Sequence, residues 1–211
     1  VIIDPNTDTD IEPDETVQLT VSNGTGYTVG TPNSATGTIE NDDVQTTTGS
    51  NSANIVIPSG GPANPYPSDI TISGALGTIT SVVVNITGLS HIYPDDIDML
   101  LVGPTGARVL LMSDAGDEGE LTNVNLTFDQ NAGSILPDTT QIVAGTYRPS
   151  NFGPISDTFP TPAPAGPYGN NLDTAFDGTT ANGNWSLYVF DDIIPDAGSI
   201  AGGWALTIQT V

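Results

Sequence analysis

Two apolar runs near the C-terminus, joined by an acidic turn, constrain this chain more than any other stretch. The first reads Gly183-Asn184-Trp185-Ser186-Leu187-Tyr188-Val189-Phe190, and the second Gly203-Trp204-Ala205-Leu206-Thr207-Ile208. In the first, Trp185, Leu187 and Val189 alternate onto one face, while Tyr188 and Phe190 load the other. That is the pattern of a strand covered on both sides. In the second, Trp204, Leu206 and Ile208 share a face opposite Ala205 and Thr207. Both tryptophans of the chain lie here. Each can bury more apolar area than any other side chain, so both are expected in the main core. Between the runs, Asp191-Asp192-Ile193-Ile194-Pro195-Asp196-Ala197-Gly198 combines turn chemistry with hard oxygen donors suited to calcium.

Further strand candidates precede the pair: Asn54 to Ile57, Asp69 to Ser73, Ile79 to Ile86, Asp96 to Val102, Val109 to Met112 and Asn123 to Phe128. Glycine, proline, asparagine and aspartate punctuate between them. No segment of useful length has apolar residues at helical spacing, so residues 53–211 read as one all-β sandwich or barrel. The proline-rich run Thr158 to Gly169 reads as an extended surface excursion. Upstream, Val44 to Ser52 is rich in threonine and serine without an apolar period and reads as a linker. In residues 1–43, Val1-Ile2-Ile3 looks like a strand end and Asp4 to Glu15 like an acidic loop. Val17, Leu19 and Val21 alternate as a strand, Asn23 to Gly26 is a turn, and Ala35 to Ile39 is a last strand.

Residues 53–211 resemble the P domain of proprotein convertases, in the form appended to bacterial secreted proteins. The resemblance is carried in order by His91-Ile92-Tyr93-Pro94-Asp95-Asp96-Ile97-Asp98-Met99-Leu100-Leu101, Gly103-Pro104-Thr105-Gly106, Gly116-Asp117, Thr127-Phe128-Asp129 and Gly145-Thr146-Tyr147-Arg148-Pro149. It continues through Phe176-Asp177-Gly178, Asn182-Gly183-Asn184-Trp185-Ser186-Leu187 and Asp196-Ala197-Gly198-Ser199-Ile200, ending at Trp204-Ala205-Leu206. It implies a jelly-roll-like β-sandwich of galactose-binding-like type, itself non-catalytic, in a secreted or cell-surface setting. Pro94 departs from the basic residue often found there, and the proline-rich loop is longer than usual. Residues 1–43 resemble the C-terminal part of a Calx-beta domain. Asp10, Glu12, Asp14 and Glu15, the strand Thr16 to Val21 and the ending Gly37-Thr38-Ile39-Glu40-Asn41-Asp42-Asp43 carry that likeness. It implies a partial immunoglobulin-like sandwich with calcium ligands at Glu12, Asp42 and Asp43.

Charge removes several function classes. The chain has 25 acidic residues against 2 basic ones, a net charge of −23. Nucleic acid and anionic membranes need a basic patch that is absent. With no cysteine and one histidine, zinc and thiolate chemistry are excluded. Without lysine there is no Schiff base, side-chain isopeptide cross-link or Walker A loop. No apolar run approaches the ~20 residues that span a bilayer. The chain does not begin with methionine, which suits a mature product or a fragment.

The chemistry that remains is oxygen-based. Asp95, Asp96 and Asp98 lie at a strand entrance, the latter two on one face by period two. Asp114, Asp117 and Glu118 share a glycine-containing loop, and Asp191, Asp192 and Asp196 the tryptophan turn. Each triplet can supply two or three of the 6–8 oxygens that calcium takes; magnesium fits less well. A solvated turn is the alternative for each. His91 reads as a packed strand histidine rather than a catalytic base. Arg148 is expected to pair with a carboxylate and pin its segment.

The resulting expectation is a non-catalytic, Ca2+-binding module with a structural, adhesive or assembly role. Its partners would be other domains or subunits of the same surface assembly, including self-association through the incomplete N-terminal sandwich. Two alternatives stand beside it: an accessory P domain of a subtilisin-like protease, and a filament or sheath subunit built by strand complementation.

Overall fold

In the computed structural model, residues 11–153 and 157–211 are described. The strand end expected at Val1–Ile3 and the acidic loop as far as Asp10 lie outside them.

Among the described residues the N-terminal part is an antiparallel pair, β1 (Glu15–Thr20) and β2 (Ser34–Ile39). Register places Val17 opposite Gly37 and Leu19 opposite Ala35. These four share one face with Ile39, and threonine, serine and glutamine occupy the other. Almost every residue of the pair is exposed.

The remainder forms an all-β sandwich of two sheets. Its strands are β3 (Gln45–Asn51), β4 (Ile55–Ile57), β5 (Gly61–Pro62), β6 (Ser68–Ile72), β7 (Ile79–His91), β8 (Ile97–Val102), β9 (Arg108–Ser113) and β10 (Leu121–Asp129). They continue with β11 (Gly145–Tyr147), β12 (Ser150–Asn151), β13 (Gly183–Asp191), β14 (Gly198–Ile200) and β15 (Trp204–Thr210). β7 is the spine of the first sheet. On one side it pairs with β10, which carries β11 in parallel. On the other it pairs with β15 and then β14, which carry β3 and β4 respectively. β13 is the spine of the second sheet. It pairs with β8, beyond which lie β9 and β12, and on its other edge with β6 and β5.

The alternation read from sequence becomes the core between these sheets. Trp185, Leu187 and Val189 point inward from β13, and Trp204, Leu206 and Ile208 from β15, all essentially inaccessible to solvent. Each indole N–H also finds an acceptor, as a buried donor requires. Trp185 Nε1 donates to Ala181 O and Trp204 Nε1 to Ser68 Oγ, both at 2.9 Å.

Four expectations change on contact with the structure. The segment taken for a linker contains β3, an edge strand held along its length by β15. Gly49 lets β3 lie close over β6, since a Cβ there would stand 2.6 Å from Ile70 and Ile72. The proline-rich run is not a free excursion. It packs Phe159 and Ala163 on the outer face of the second sheet, over Leu100, Leu110 and Tyr188. Tyr66 OH and Tyr168 OH tie it down through Pro160 O and Pro164 O at 3.0 and 2.7 Å. One short helix, α1 (Leu172–Phe176), is present, capped by Asn171 Oδ1 accepting from Thr174 N. Arg148 is exposed and meets no described carboxylate at ion-pair distance; its backbone, not its guanidinium, fastens the segment through Ser134 O at 2.8 Å.

Candidate functional site

Strand directions bring the acidic loops to one end of the sandwich. His91 ends β7, Ile97 begins β8, Ser113 ends β9, Leu121 begins β10, Asp191 ends β13 and Gly198 begins β14. The three connections between these ends hold Asp95, Asp96, Asp114, Asp117, Glu118, Glu120, Asp192 and Asp196.

The structure regroups the triplets read from sequence. Asp96 does not share a strand face with Asp98, because Pro94–Asp96 forms a 3-10 turn before β8 begins. Asp96 instead faces the β13–β14 turn, where Asp192 N donates to Asp96 O at 3.1 Å. Its carboxyl is pushed up to about 6, first by burial and then by Asp191 and Asp192, with His91 opposing. Asp191 is buried against His91, Nε2 to Oδ2 at 3.1 Å, and its other oxygen accepts from Ile193 N. His91 Nδ1 meets Tyr93 O at 2.7 Å, so the ring is held at both nitrogens, as a packed strand histidine should be. Asp196 lies further along the same turn, near enough to raise Asp96 slightly.

Asp95 turns the other way. Burial raises its carboxyl, with Asp114, Asp117 and Asp138 adding repulsion. Asp117 Oδ1 accepts from Tyr93 OH at 3.1 Å. Asp114 and Asp117 both take left-handed backbone conformations, φ 48°, which bend the β9–β10 loop tightly.

The third group forms around Ser113, which is fully buried. Ser113 Oγ donates to Asp114 Oδ2 at 3.0 Å, and its hydroxyl also favours the ionised forms of Asp98 and Asp157. Burial pushes the Asp98 carboxyl up to about 8 despite Ser113, and Asp157, Asp192 and Asp114 add to the rise. Asp157 is raised by burial and by Asp114, against hydrogen bonds from Ser113 and Asn151. Sequence reading missed Asp157, Asn151 and Ser113. Parallel pairing of β12 with β9, which sets Asn151 opposite Ser113, brings them in.

Glu12, Asp42 and Asp43 gather separately at the end of the β1–β2 pair. Asn41 joins their two segments: its Oδ1 accepts from Glu12 N and its Nδ2 donates to Asp43 O. Its backbone N–H donates to Asp14 Oδ1 at 3.0 Å. Among the described residues no group of three or more histidine, aspartate or glutamate side chains stands ready-made around one point to hold a metal ion.

No protein-family model matches the chain, and no curated protein matches it. Among solved structures, the chain is similar to the serine protease of Aeromonas sobria, crystallised alone and in complex with the chaperone ORF2. The TM-scores are 0.37 and 0.38 at 15% identity, covering 93% of this chain and 27% of the protease chain.

Proposed function

We propose that this chain is a non-catalytic, calcium-stabilised β-sandwich module of a secreted or cell-surface bacterial protein, serving a structural, adhesive or assembly role. The observation that carries the reading is the crowding of carboxylates at one end of the sandwich. Asp95, Asp96, Asp98, Asp157 and Asp192 are all raised by burial, and each also by at least one neighbouring carboxylate. Neither arginine answers them with an ion pair among the described residues. A bound divalent cation would neutralise the crowding and stabilise the native state alone. The non-catalytic part rests on His91, whose two nitrogens are already engaged by Asp191 and Tyr93 O. The secreted or surface setting rests on the resemblance to P domains. Partners on this reading are other parts of the same assembly, which would pack on the apolar face of the β1–β2 pair that no described residue covers.

The test is thermal unfolding at fixed ionic strength, in excess calcium and in excess chelator. Calcium is expected to raise the melting temperature. Superimposable melts in the two buffers would remove calcium from the reading.

A further inference from the structure

The chain contains two Asn-Gly pairs, Asn23-Gly24 and Asn182-Gly183, and the fold treats them in opposite ways. An asparagine followed by glycine is open to attack by the next backbone nitrogen, because no Cβ shields that nitrogen. Asn182 is closed to this reaction. Its Oδ1 accepts from Ala75 N at 3.0 Å and its Nδ2 donates to Ala75 O at 2.6 Å, so one backbone residue grips both ends of the amide. Gly183 opens β13 opposite Ile72 of β6. Bringing Cγ onto Gly183 N would pull the side chain off Ala75 and the strand off its partner. Asn23 is placed differently. It and Gly24 are both exposed, in the loop between β1 and β2. Among the described residues its amide makes one hydrogen bond, Oδ1 accepting from Val29 N at 2.8 Å. That bond leaves the amine side free to depart. It also polarises the carbonyl, which favours charge building on the oxygen as a nucleophile reaches Cγ. Tyr27 N to Gly24 O is long at 3.4 Å, and the flanking strands are almost wholly exposed, so little resists local opening.

We propose that Asn23 is a site of spontaneous deamidation through a succinimide, and that Ala75 protects Asn182 from the same change. Gly24 N gives up its proton and attacks Asn23 Cγ. A new C–N bond forms, the Cγ–Nδ2 bond breaks, and the amide nitrogen leaves as ammonia carrying that proton. Water, the sole co-reactant, then opens the imide at one of its two carbonyls and leaves aspartate or isoaspartate. Nothing is oxidised or reduced. The product adds a carboxylate to a chain that already has 25 acidic residues against 2 basic ones. The isoaspartate form also adds a methylene to the backbone between β1 and β2 and draws the acceptor away from Val29 N. This modification is independent of the calcium reading.

The test ages the full chain at mildly alkaline pH, native and in concentrated urea, and follows both sites by peptide mapping with mass spectrometry and isoaspartate labelling. In urea neither fold contact survives, and the two Asn-Gly pairs should convert at rates within about threefold of each other. In the native chain Asn23 should still convert, while Asn182 should be slower by about tenfold or more, as expected for the loss of two hydrogen bonds. Asn23→Gln keeps an amide at the turn but lengthens the side chain, and should remove the early isoaspartate signal from the native chain. Equal native rates at the two sites would overturn the protection by Ala75. An Asn23 that stays intact in the native chain while both sites convert in urea would overturn the assignment of the reactive site.

Discussion

The β1–β2 pair and the sandwich that follows are built from the same pattern, alternating apolar and polar residues, yet among the described residues only one of them has an inside. In β15, alternation puts Trp204, Leu206 and Ile208 against a second sheet, and all three are sealed from water. In β1, alternation puts Val17 and Leu19 on one face with nothing described above it, and Leu19 remains 42% exposed. The groove over this face, about 550 Å³, is lined among the described residues by Val17, Leu19, Ala35, Gly37 and Ile39 of the pair and by Glu40 just beyond it, with Thr36 and Thr38. Alternation thus marks a strand with one buried side, but not which surface does the burying. A two-stranded pair is marginal in water, whereas two facing sheets gain from every inward residue.

The largest test of that contrast is to cut into the sandwich core. Trp185→Ala or Trp204→Ala should cost roughly 3–5 kcal/mol, as for other large aromatic core residues. That is a large share of a typical domain's ~5–15 kcal/mol. Denaturant titration followed by far-ultraviolet circular dichroism measures it. A near-neutral Trp204→Ala would mean that the first sheet does not depend on its facing partner.

Next in size comes the acidic end. Native carboxyls at about 8 (Asp98) and about 6 (Asp96) lie above the ordinary value of 3.8. Between roughly pH 4 and pH 8 the folded chain therefore holds more protons than the unfolded one, and stability falls as pH rises through that window. In chelator, the chain should melt at a higher temperature at pH 5 than at pH 8. Asp98→Asn should flatten the upper part of that slope. Calcium competes with those protons, so its stabilisation should grow toward pH 8; at a hundred times its dissociation constant a native-state ligand contributes about 2.7 kcal/mol. A chelated chain whose stability rises from pH 5 to pH 8 would contradict the buried-carboxylate account. The same titrations should leave the β1–β2 pair unmoved, since its carboxylates lie in loops joined through Asn41, apart from the sandwich end.

Legibility in the sequence followed the same divide. Strands with an apolar face were visible, including both tryptophan strands, β6, β7 and β8. β3 was not, because Gln45 to Asn51 has no apolar side chain to alternate. Its evidence is a backbone ladder to β15 and a glycine that fits over Ile70 and Ile72. α1 was hidden by length: five residues give Leu172 and Phe176 one helical repeat. The acidic end was visible as composition but not as geometry. Asp157 lies 59 residues beyond Asp98 (157 minus 98), and a short parallel pairing, which leaves no periodic trace, brings its neighbour Asn151 to Ser113. Arg148 misled because scarcity of cations suggested a partner, while its exposed position lets water solvate it instead.

The smallest expected effect sharpens the comparison most. Leu19→Ser removes the largest apolar side chain from the face of β1, directly opposite Ala35. A cross-strand pair of this kind contributes about 0.2–1 kcal/mol to the pair itself. Because no third strand is described against β1 or β2, that loss has no described route into the sandwich. The main unfolding transition should therefore move by no more than about 0.5 kcal/mol, as for an ordinary surface change. Amide exchange gives the complementary view. Protection should be high along β7, which is paired on both edges, and β15, held by β3 and β7. It should be weak along β1 and β2, whose outer edges pair with no described strand. Strong protection of β1 and β2 in a dilute, monomeric sample would show that the chain itself covers their face. Protection that appears only as concentration rises, with a matching increase in mass, would show a neighbouring copy pairing along these edges by strand addition.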